Sequence, residues 1–596
     1  MTRMQGPISS AVDKPKNALQ TLKRLLSFMH HVRGWFYLAI ILSIISSLAQ
    51  LAVPYLIGQI VDSVSAMSDF DNTRINQAIL WLIGFTVLSI ALQYALSILM
   101  INLAQRVIVK MREAVFTKFS SLSISYFDRY QIGDMLSRIS YDIDTINTSL
   151  SADVVVLFSS IVTVISALVL MIGISLPLMS VFIITLPLSI FISRKLAKIT
   201  RPLFRTRSAR LGDMNGYIEE TISGIKTIKA YAVENSFIKG FDEKNEAASQ
   251  AYYEADYWGS IAGPAINFIN NISLTLITLV GAVLLLFRIT SIGQISAFIL
   301  YSRRFSAPIS EASNMFAELQ STLAAAERVF KVLDEPHEIE TGDMILSKKL
   351  VGTVDFEHVI FRYDDSKTVI KGITLHVPAR SMVAIVGSTG GGKTSLVSLL
   401  MRFYDPQSGD IKIDGQSILK CTRASVRAAF AMVLQDSWLF EGTIRENLTY
   451  GADNVSEARI WEVLDKVSLT HFVKASHYGL NTTIVDDGAN ISQGQKQLIT
   501  IARAMLLDRP MVILDEATSH VDSVSERLIA AALHELTSDK TCFIIAHRLS
   551  TIIASSMIVV IEQGEIVETG THSELMRKQG AYMRLYNAQL SEGMKE

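Results

Sequence analysis

The sequence predicts a multidomain chain in which an all-α, six-helix transmembrane domain is followed by an α/β P-loop domain. Long runs without any charged residue fill the first half of the 596 residues, and a glycine-rich phosphate-loop motif stands in the second half. A chain of this length exceeds a single hydrophobic core, so several domains are expected. The net charge of −1, with 49% hydrophobic and 19% charged residues, argues against nucleic acid as a partner and for a membrane region.

Uncharged runs predict the membrane spans, since a membrane helix needs roughly 20 apolar residues. The runs 34–61, 75–105 and 257–287 give one span each. The run 154–193 is about twice that length, and Ser175-Leu176-Pro177 breaks it into two helices. A sixth span is expected from residue 289 onward, although Arg303 and Arg304 interrupt it.

The charges that flank the spans predict their orientation. The segment before the first span is basic, the loop 62–74 is acidic, and the segment 194–210 is basic again. The positive-inside rule therefore places the N-terminus and the long connections 106–153 and 194–256 in the cytoplasm. Both connections have helical periodicity with mixed charge, so we expect them to extend the spans towards the P-loop domain. A pair of solvated charged helices is the alternative.

Polar side chains inside the spans either line a pathway or form hydrogen bonds between helices, and the second interpretation is favoured for any single residue. Arg303 and Arg304 would favour anionic groups if they face a substrate cavity. The other polar residues are Gln50, Gln59, Gln93, Asn102, Asn267, Asn270, Asn271 and Gln294.

A phosphate loop occupies residues 387–394, which read Gly-Ser-Thr-Gly-Gly-Gly-Lys-Thr. A buried-strand pattern precedes it and a helical pattern follows it, which is the context that the motif requires. The glycines let backbone N–H groups approach phosphates, and the helix N-terminus adds a positive dipole end. Lys393 would reach the β- and γ-phosphates and Thr394 would hold Mg²⁺, so a nucleoside triphosphate site is predicted.

Two later apolar strands end in residues that suit the same chemistry. Asp515 and Glu516 end one strand. Asp515 is suited to be a ligand of Mg²⁺, and Glu516 is suited to polarise an attacking water. His547 ends the other strand and could contact a γ-phosphate. Tyr363 lies between two strand-like segments and is a candidate for stacking on adenine. Taken singly, the acidic strand end, His547 and Tyr363 are each compatible with a structural role.

The segment Asn490-Ile491-Ser492-Gln493-Gly494-Gln495 resembles the signature motif of ATP-binding cassette (ABC) exporter half-transporters. General phosphate-loop kinases lack it, and the resemblance extends over about residues 20–590. The chain looks most like the catalytic-glutamate subunit of bacterial heterodimeric multidrug exporters. Gln493 and His520 depart from the commonest residues of the family, but neither departure removes a phosphate ligand.

The resemblance assigns roles residue by residue. Glu516 matches the catalytic glutamate and His547 the switch histidine. Thr394, Gln435 and Asp515 match the Mg²⁺ ligands. The remaining nucleotide-binding positions are Tyr363 for adenine, the loop residues Gly387, Ser388, Thr389, Gly390, Gly391, Gly392, Lys393 and Ser395, the signature residues Ser492, Gly494 and Gln495, and Asp522 of the D-loop.

The membrane half agrees with the same family. Tyr126-Phe127-Asp128-Arg129 is similar to its first coupling region, and residues 224–229 are similar to the second. The implied domains are a cytoplasmic N-terminal segment (1–33), the transmembrane domain (34–330), a linker (331–350), the cassette (351–590) and a tail (591–596).

Six spans and one cassette imply a dimer with a second half-transporter, and a heterodimer is favoured over a homodimer. The resemblance implies ATP and Mg²⁺ as cofactors, membrane lipids and a small hydrophobic or amphipathic substrate as partners, and no nucleic acid. It further implies a bacterial inner-membrane location and ATP-driven export of drugs or lipids by alternating access. Uptake of a siderophore-like ligand is the alternative within the same fold. A soluble cassette ATPase is an alternative of another class, against which the spans argue.

Overall fold

The computed structural model describes residues 17–65, 72–347, 349–364, 366–434, 437–485, 488, 490–515, 523–546 and 549–593. Its contacts divide the chain into two units. The membrane unit contains the chain up to Leu122 together with Tyr130–Glu335. The cassette unit contains Ser123–Arg129 together with the chain from Pro336 onward.

This part of the chain is helical. The helices are α1 (Ala18–Phe28), α2 (Arg33–Ser65), α3 (Asn72–Ser120), α4 (Ile124–Arg129), α5 (Ile132–Ser137), α6 (Ile143–Thr148), α7 (Val154–Ile174), α8 (Leu176–Ser223), α9 (Ile225–Ala230), α10 (Glu234–Leu286) and α11 (Ile292–Asp334). By its contacts α4 belongs to the cassette unit, and the other helices belong to the membrane unit. Two π-helical segments, Arg138–Asp142 and Ser149–Asp153, join α5, α6 and α7 into one long helical stretch.

Five helical stretches of the described chain are long and apolar enough to cross a membrane, and they begin at Arg33, Asn72, Ile132, Leu176 and Glu234. The expected break in the run 154–193 falls at Ser175, whose hydroxyl accepts a hydrogen bond from the Leu178 amide and caps α8. α11 is a further long helix that is not among these five, and Arg303 and Arg304 lie within it. The predicted fold class, a helical membrane domain followed by an α/β cassette, is confirmed.

Polar groups in the spans connect helices to one another. The Asp62 carboxylate at the end of α2 accepts hydrogen bonds from the Gly293 amide and the Ser291 hydroxyl, both at 2.6 Å, and so caps α11. Gly58 packs against the same turn, where a Cβ atom would lie 2.7 Å from the Gly293 carbonyl oxygen. Arg304 donates a hydrogen bond of 3.2 Å to Gln50. The contact of Gln50 agrees with the structural interpretation of that residue.

The first π-helical segment carries an ion pair in which the carboxylate is buried and the guanidinium is exposed. Asp142 is 2% exposed, and its carboxylate accepts hydrogen bonds of 2.6–3.2 Å from the Arg328 guanidinium on α11. A carboxylate in such a position needs a cationic partner, since its desolvation is costly. The pair therefore fixes the register of α11 against the helices of the connection 106–153.

The cassette unit has strands and shorter helices. The strands are β1 (Val354–Arg362), β2 (Thr368–Val377), β3 (Met382–Gly387), β4 (Ser408–Ile413), β5 (Gln416–Ser417), β6 (Phe430–Val433), β7 (Gly442–Thr443), β8 (Thr483–Ile484), β9 (Met511–Asp515), β10 (Thr541–Ile545), β11 (Met557–Glu562) and β12 (Glu565–Gly570). The helices are α12 (Lys393–Leu400), α13 (Arg423–Arg427), α14 (Ile444–Leu448), α15 (Glu457–Lys466), α16 (Thr470–Ala475), α17 (Gln493–Leu507), α18 (Ser523–Thr537), α19 (Leu549–Ala554), α20 (His572–Lys578) and α21 (Ala581–Gly593).

A six-stranded sheet in the order β12-β11-β3-β10-β9-β6 forms the centre of the cassette. Its strands are parallel except for β12, which pairs antiparallel with β11. The central strands β3, β9 and β10 are almost completely apolar because helices cover both faces of a parallel sheet. A second, antiparallel sheet has the order β2-β1-β4-β5.

The polar segment after α11 packs onto the cassette. α11 continues to Asp334, inside the predicted linker, and the residues that follow Pro336 belong to the cassette unit. Glu338 accepts hydrogen bonds of 2.6 and 3.0 Å from Arg427, and Arg402 is completely buried beneath the segment, where it donates to Thr341. The described linker residues are therefore held by ion pairs and hydrogen bonds.

Candidate functional site: the phosphate loop and its surroundings

The phosphate loop joins the end of β3 to the start of α12, as the sequence predicts. Gly390 and Gly392 have backbone φ values of +79° and +107°, which residues other than glycine rarely adopt. A Cβ atom on Gly387 would lie 2.1 Å from the Ile561 carbonyl oxygen, so no other residue fits there. These glycines let the backbone turn tightly at the N-terminus of α12, where amide N–H groups and the helix dipole favour phosphate.

Lys393 is the first residue of α12 and is 7% exposed. Its ammonium group donates to the carbonyl oxygens of Gly387 and Ser388, at 2.8 and 3.1 Å. The cation is thus held within the loop that would surround the phosphates. Thr394 is exposed next to it, so its hydroxyl is accessible to a metal ion.

Asp515 ends β9 two strands away from the loop. In the parallel register it lies beside Ile545 of β10, which in turn lies beside Ile385 of β3. Strands are about 4.8 Å apart, so the Cα atoms of Asp515 and Ile385 are separated by roughly 10 Å. The carboxylate and the phosphate loop therefore lie at the same edge of the sheet, where ligands of open α/β sheets bind.

Four predicted site residues, Gln435, Glu516, Asp522 and His547, lie outside the described residues. In the sequence, Glu516 directly follows Asp515, the last residue of β9, and His547 directly follows Ala546, the residue after β10. Their assignments stay predictions from the sequence.

The signature segment forms the start of α17. Ser492 is the N-cap: its hydroxyl accepts a hydrogen bond from the Gln495 amide at 3.2 Å, and the Gln495 side chain accepts one from the Ser492 amide at 3.0 Å. Gly494 is buried in the first turn, whereas Ser492 is exposed. The spacing Ser-x-x-Gln is a capping-box signal, so the start of this helix could have been read from the sequence at Ser492.

Tyr363 borders the loop through a contact that the sequence did not predict. Its hydroxyl lies 2.9 Å from the Ser395 hydroxyl of α12, and its ring is half exposed. The Tyr404 ring packs edge-on against it, with the ring centroids 5.0 Å apart. An exposed aromatic face next to the phosphate loop is suited to stacking on a base, and Tyr404 fixes its orientation.

Tyr404 also contacts the first predicted coupling region. Its hydroxyl donates a hydrogen bond to the Asp128 carboxylate of α4, the short helix that belongs to the cassette unit. Burial and this hydrogen bond raise the pKa of the Tyr404 hydroxyl, which therefore stays protonated as a donor. Asp128, Tyr404, Tyr363 and Ser395 thus form one chain of contacts that ends on the phosphate-loop helix.

The membrane unit contains a separate cavity of about 340 Å³ between α7 and α11. Leu157, Ile161 and Met315 give it an apolar lining, and Asp153 and Ser149 lie at one end of its α7 face. Arg303 and Arg304 are not among the lining residues.

Family models match both regions of the chain. The model described as "ABC transporter transmembrane region" matches residues 36–309, and the model described as "ABC transporter" matches residues 370–519. An uncharacterized ABC transporter ATP-binding protein of Bacillus subtilis is 37% identical over 97% of this chain and 96% of its own length. The chain therefore belongs to the ABC transporter family, whose members couple ATP hydrolysis to transport.

Two further comparisons refine this result. A fatty acid ABC transporter ATP-binding/permease protein of Mycobacterium bovis is 42% identical over 81% of this chain and 76% of its own length. The solved structure of a bacterial Atm1-family ABC exporter with ATP bound has the same fold, with a TM-score of 0.74 at 24% identity, over 94% of this chain and 98% of that one. The chain therefore has the fold of an ABC exporter half-transporter, with a permease region and an ATPase region, and half-transporters of this family work as dimers.

Proposed function

We propose that this half-transporter exports hydrophobic or amphipathic compounds, such as drugs or lipids, by alternating access. The observation that carries this proposal is the apolar cavity between α7 and α11. Its volume of about 340 Å³ lies within the range of about 300–1,000 Å³ that is usual for pockets that bind drug-sized ligands. The fatty acid named for the mycobacterial relative is itself an amphipathic compound.

We propose that each ATP site is formed by residues of two subunits. Lys393 and the glycines of the loop hold the phosphates, Tyr363 stacks on adenine, and Glu516 with His547 acts on the attacking water and the γ-phosphate. Ser492, Gly494 and Gln495 of the opposite subunit, with Asp522, complete the site. The capping box supports this arrangement because it fixes the Ser492 turn at the N-terminus of α17, which favours an anion.

The oxygen donors at the carboxyl ends of the parallel strands are suited to bind Mg²⁺. Thr394 presents an accessible hydroxyl and Asp515 a carboxylate, and both are ligand types that Mg²⁺ prefers. Gln435 is the third proposed ligand. When bound, the ion neutralises charge on the β- and γ-phosphates.

The proposed location is a bacterial inner membrane, with the cassette and the N-terminus in the cytoplasm. The flanking basic residues support this orientation through the positive-inside rule. A heterodimer is the proposed assembly.

Transport into inside-out membrane vesicles tests the function. With ATP outside, hydrophobic dyes and fluorescent lipids should accumulate in vesicles that contain the transporter but not in vesicles that contain its Glu516→Gln variant. Accumulation of loaded siderophores in right-side-out vesicles, without dye or lipid transport, would instead support uptake. Extraction of the chain from membranes by a high-salt wash would contradict both.

A further inference from the structure

Asp153 is the single charged residue among the described residues that line the membrane cavity. It ends the second π-helical segment, directly before α7 in the same continuous helical stretch, and it is half-buried. Its side chain makes no capping hydrogen bond to α7, and no hydrogen bond or ion pair of the described part of the chain engages its carboxylate. A helix-capping role therefore does not account for this residue.

We propose that Asp153 selects the head group of the transported compound, so that the cavity prefers amphipathic cations. This inference rests on the proposed export of amphipathic compounds. It adds the sign of the charge and the residue that recognises it.

The order of residues along α7 gives the cavity a polar end and an apolar wall. Asp153, Leu157, Ile161 and Ile165 follow at intervals of four residues and all line the cavity, so they share one face of the helix. The rise from Asp153 to Ile165 is about 18 Å, which is the length of an alkyl chain of about twelve carbons with its head group. An amphipathic molecule along this face would place its head at Asp153 and its chain against the aliphatic residues.

Electrostatics favours a cation at that end. A carboxylate beside an apolar cavity is incompletely solvated, and an ammonium or amidinium group would restore a partner at short range. π-Helical turns of this kind are frequent at functional sites, and this one places Ser149 and Asp153 together on the cavity wall.

The arginine pair of α11 does not change the expected preference for a cationic head group. Arg304 is hydrogen-bonded to Gln50 of α2, and neither Arg303 nor Arg304 lines the cavity. A fatty acid, the substrate named for the mycobacterial relative, carries the opposite charge. We therefore expect this chain to differ from that relative in head-group preference.

Three probes with the same alkyl chain isolate the head group: dodecyltrimethylammonium, dodecanol and dodecanoate. Each is titrated, below its micellar concentration, against ATP hydrolysis and vesicle transport by the assembled transporter in lipid. The chains compared are the wild type, Asp153→Asn, Asp153→Glu and Asp153→Lys. Asp213→Asn is the matched control, because it removes an exposed carboxylate of α8 whose ion pair with Arg210 is loose, at 3.6 Å.

For the wild type and the Asp213→Asn control, we expect dodecyltrimethylammonium to be half-saturating at about tenfold lower concentration than dodecanol. Asp153→Asn should remove this difference without changing the response to dodecanol, and Asp153→Glu should retain it. Asp153→Lys should shift the preference to dodecanoate. A structural role would not give this dependence on the probe's charge.

Two results would overturn the inference, and they can be told apart. In the first, Asp153→Asn leaves the cation preference intact or weakens the response to all three probes equally. In either case Asp153 does not recognise the head group, while the proposed function stands. If the wild type responds to none of the three probes and transports no other amphipathic compound, the proposed function fails and the inference fails with it.

Discussion

The Lys393 ammonium group is held by two carbonyl oxygens of its own loop, at 2.8 and 3.1 Å, and is largely removed from water. A phosphate oxygen is an anionic acceptor, so a hydrogen bond from this ammonium group to a phosphate adds the attraction between opposite charges. The loop thus holds a cation where the negative charge of a nucleotide would lie.

Lys393→Ala should therefore weaken ATP binding by about tenfold or more, because the phosphates lose this partner. Equilibrium binding of a fluorescent ATP analogue to the purified transporter measures the change. Lys412→Ala is the control, since Lys412 forms an ion pair with Glu357 on the antiparallel sheet. Equal affinities of Lys393→Ala and the wild type would show that the loop does not hold the phosphates as proposed.

Glu516→Gln should bind ATP but hydrolyse it at least about 100-fold more slowly, because an amide cannot polarise the attacking water as a carboxylate does. Phosphate release and nucleotide retention are measured on the same preparation. Glu565→Gln, at an exposed position in β12, should leave both unchanged. Wild-type turnover by Glu516→Gln in the assembled transporter would contradict the catalytic assignment.

Among the elements, α4 makes the contact with the clearest consequence for coupling. This helix belongs to the cassette unit by its contacts, and Asp128 at its end accepts the Tyr404 hydroxyl. The Tyr404 ring packs against Tyr363, which is hydrogen-bonded to Ser395 of α12. Since α4 is continuous in sequence with the membrane helices on both sides, these contacts can carry a displacement of α4 to the nucleotide site.

Tyr404→Phe tests this role, because it keeps the ring contacts and removes the hydrogen bond to Asp128. We expect ATP affinity and basal hydrolysis to stay close to those of the wild type, because the ring contact with Tyr363 is retained. Stimulation of hydrolysis by substrate should fall several-fold. Both rates are measured in lipid with and without a transported dye.

Tyr478→Phe is the matched control, because Tyr478 is exposed in the cassette and contacts His477 through its ring. Full substrate stimulation in Tyr404→Phe would exclude the hydrogen bond from coupling. A loss of ATP affinity without a loss of stimulation would instead place Tyr404 among the residues that support the adenine.

For the whole molecule, the state of assembly decides how many ATP sites are complete. One chain supplies one phosphate loop and one signature segment, and in the proposed arrangement they serve different sites. The proposed arrangement therefore requires a partner whose own signature Ser and Gly complete the site around Glu516.

We expect the chain purified alone in lipid to be largely inactive, and to gain ATPase activity when it is combined with its partner half-transporter. Native mass and turnover, measured on the same sample, distinguish the assemblies. A stable and active homodimer would contradict the heterodimer and would mean two equivalent sites.

Much of the fold could be predicted from local patterns. The break at Ser175, the strand before the phosphate loop and the helix after the signature are each specified by a few neighbouring residues, so their predicted positions lie near those in the structure. The two arginines of α11 conflict with the composition that a membrane helix usually has. The structure shows one reason that the conflict is tolerated, since Arg304 is hydrogen-bonded to Gln50.

The sequence by itself determined the class of protein, because phosphate-loop glycines, a signature segment and uncharged spans depend on local chemistry and spacing. Tertiary structure alone decided which distant residues meet. It placed Tyr404 between Asp128 and Tyr363, buried Arg402 beneath the linker, and placed Asp153 rather than the arginine pair on the cavity wall. The physical reason is that these contacts join residues far apart in the chain, and no periodicity or motif records which of the possible pairs has the lower free energy.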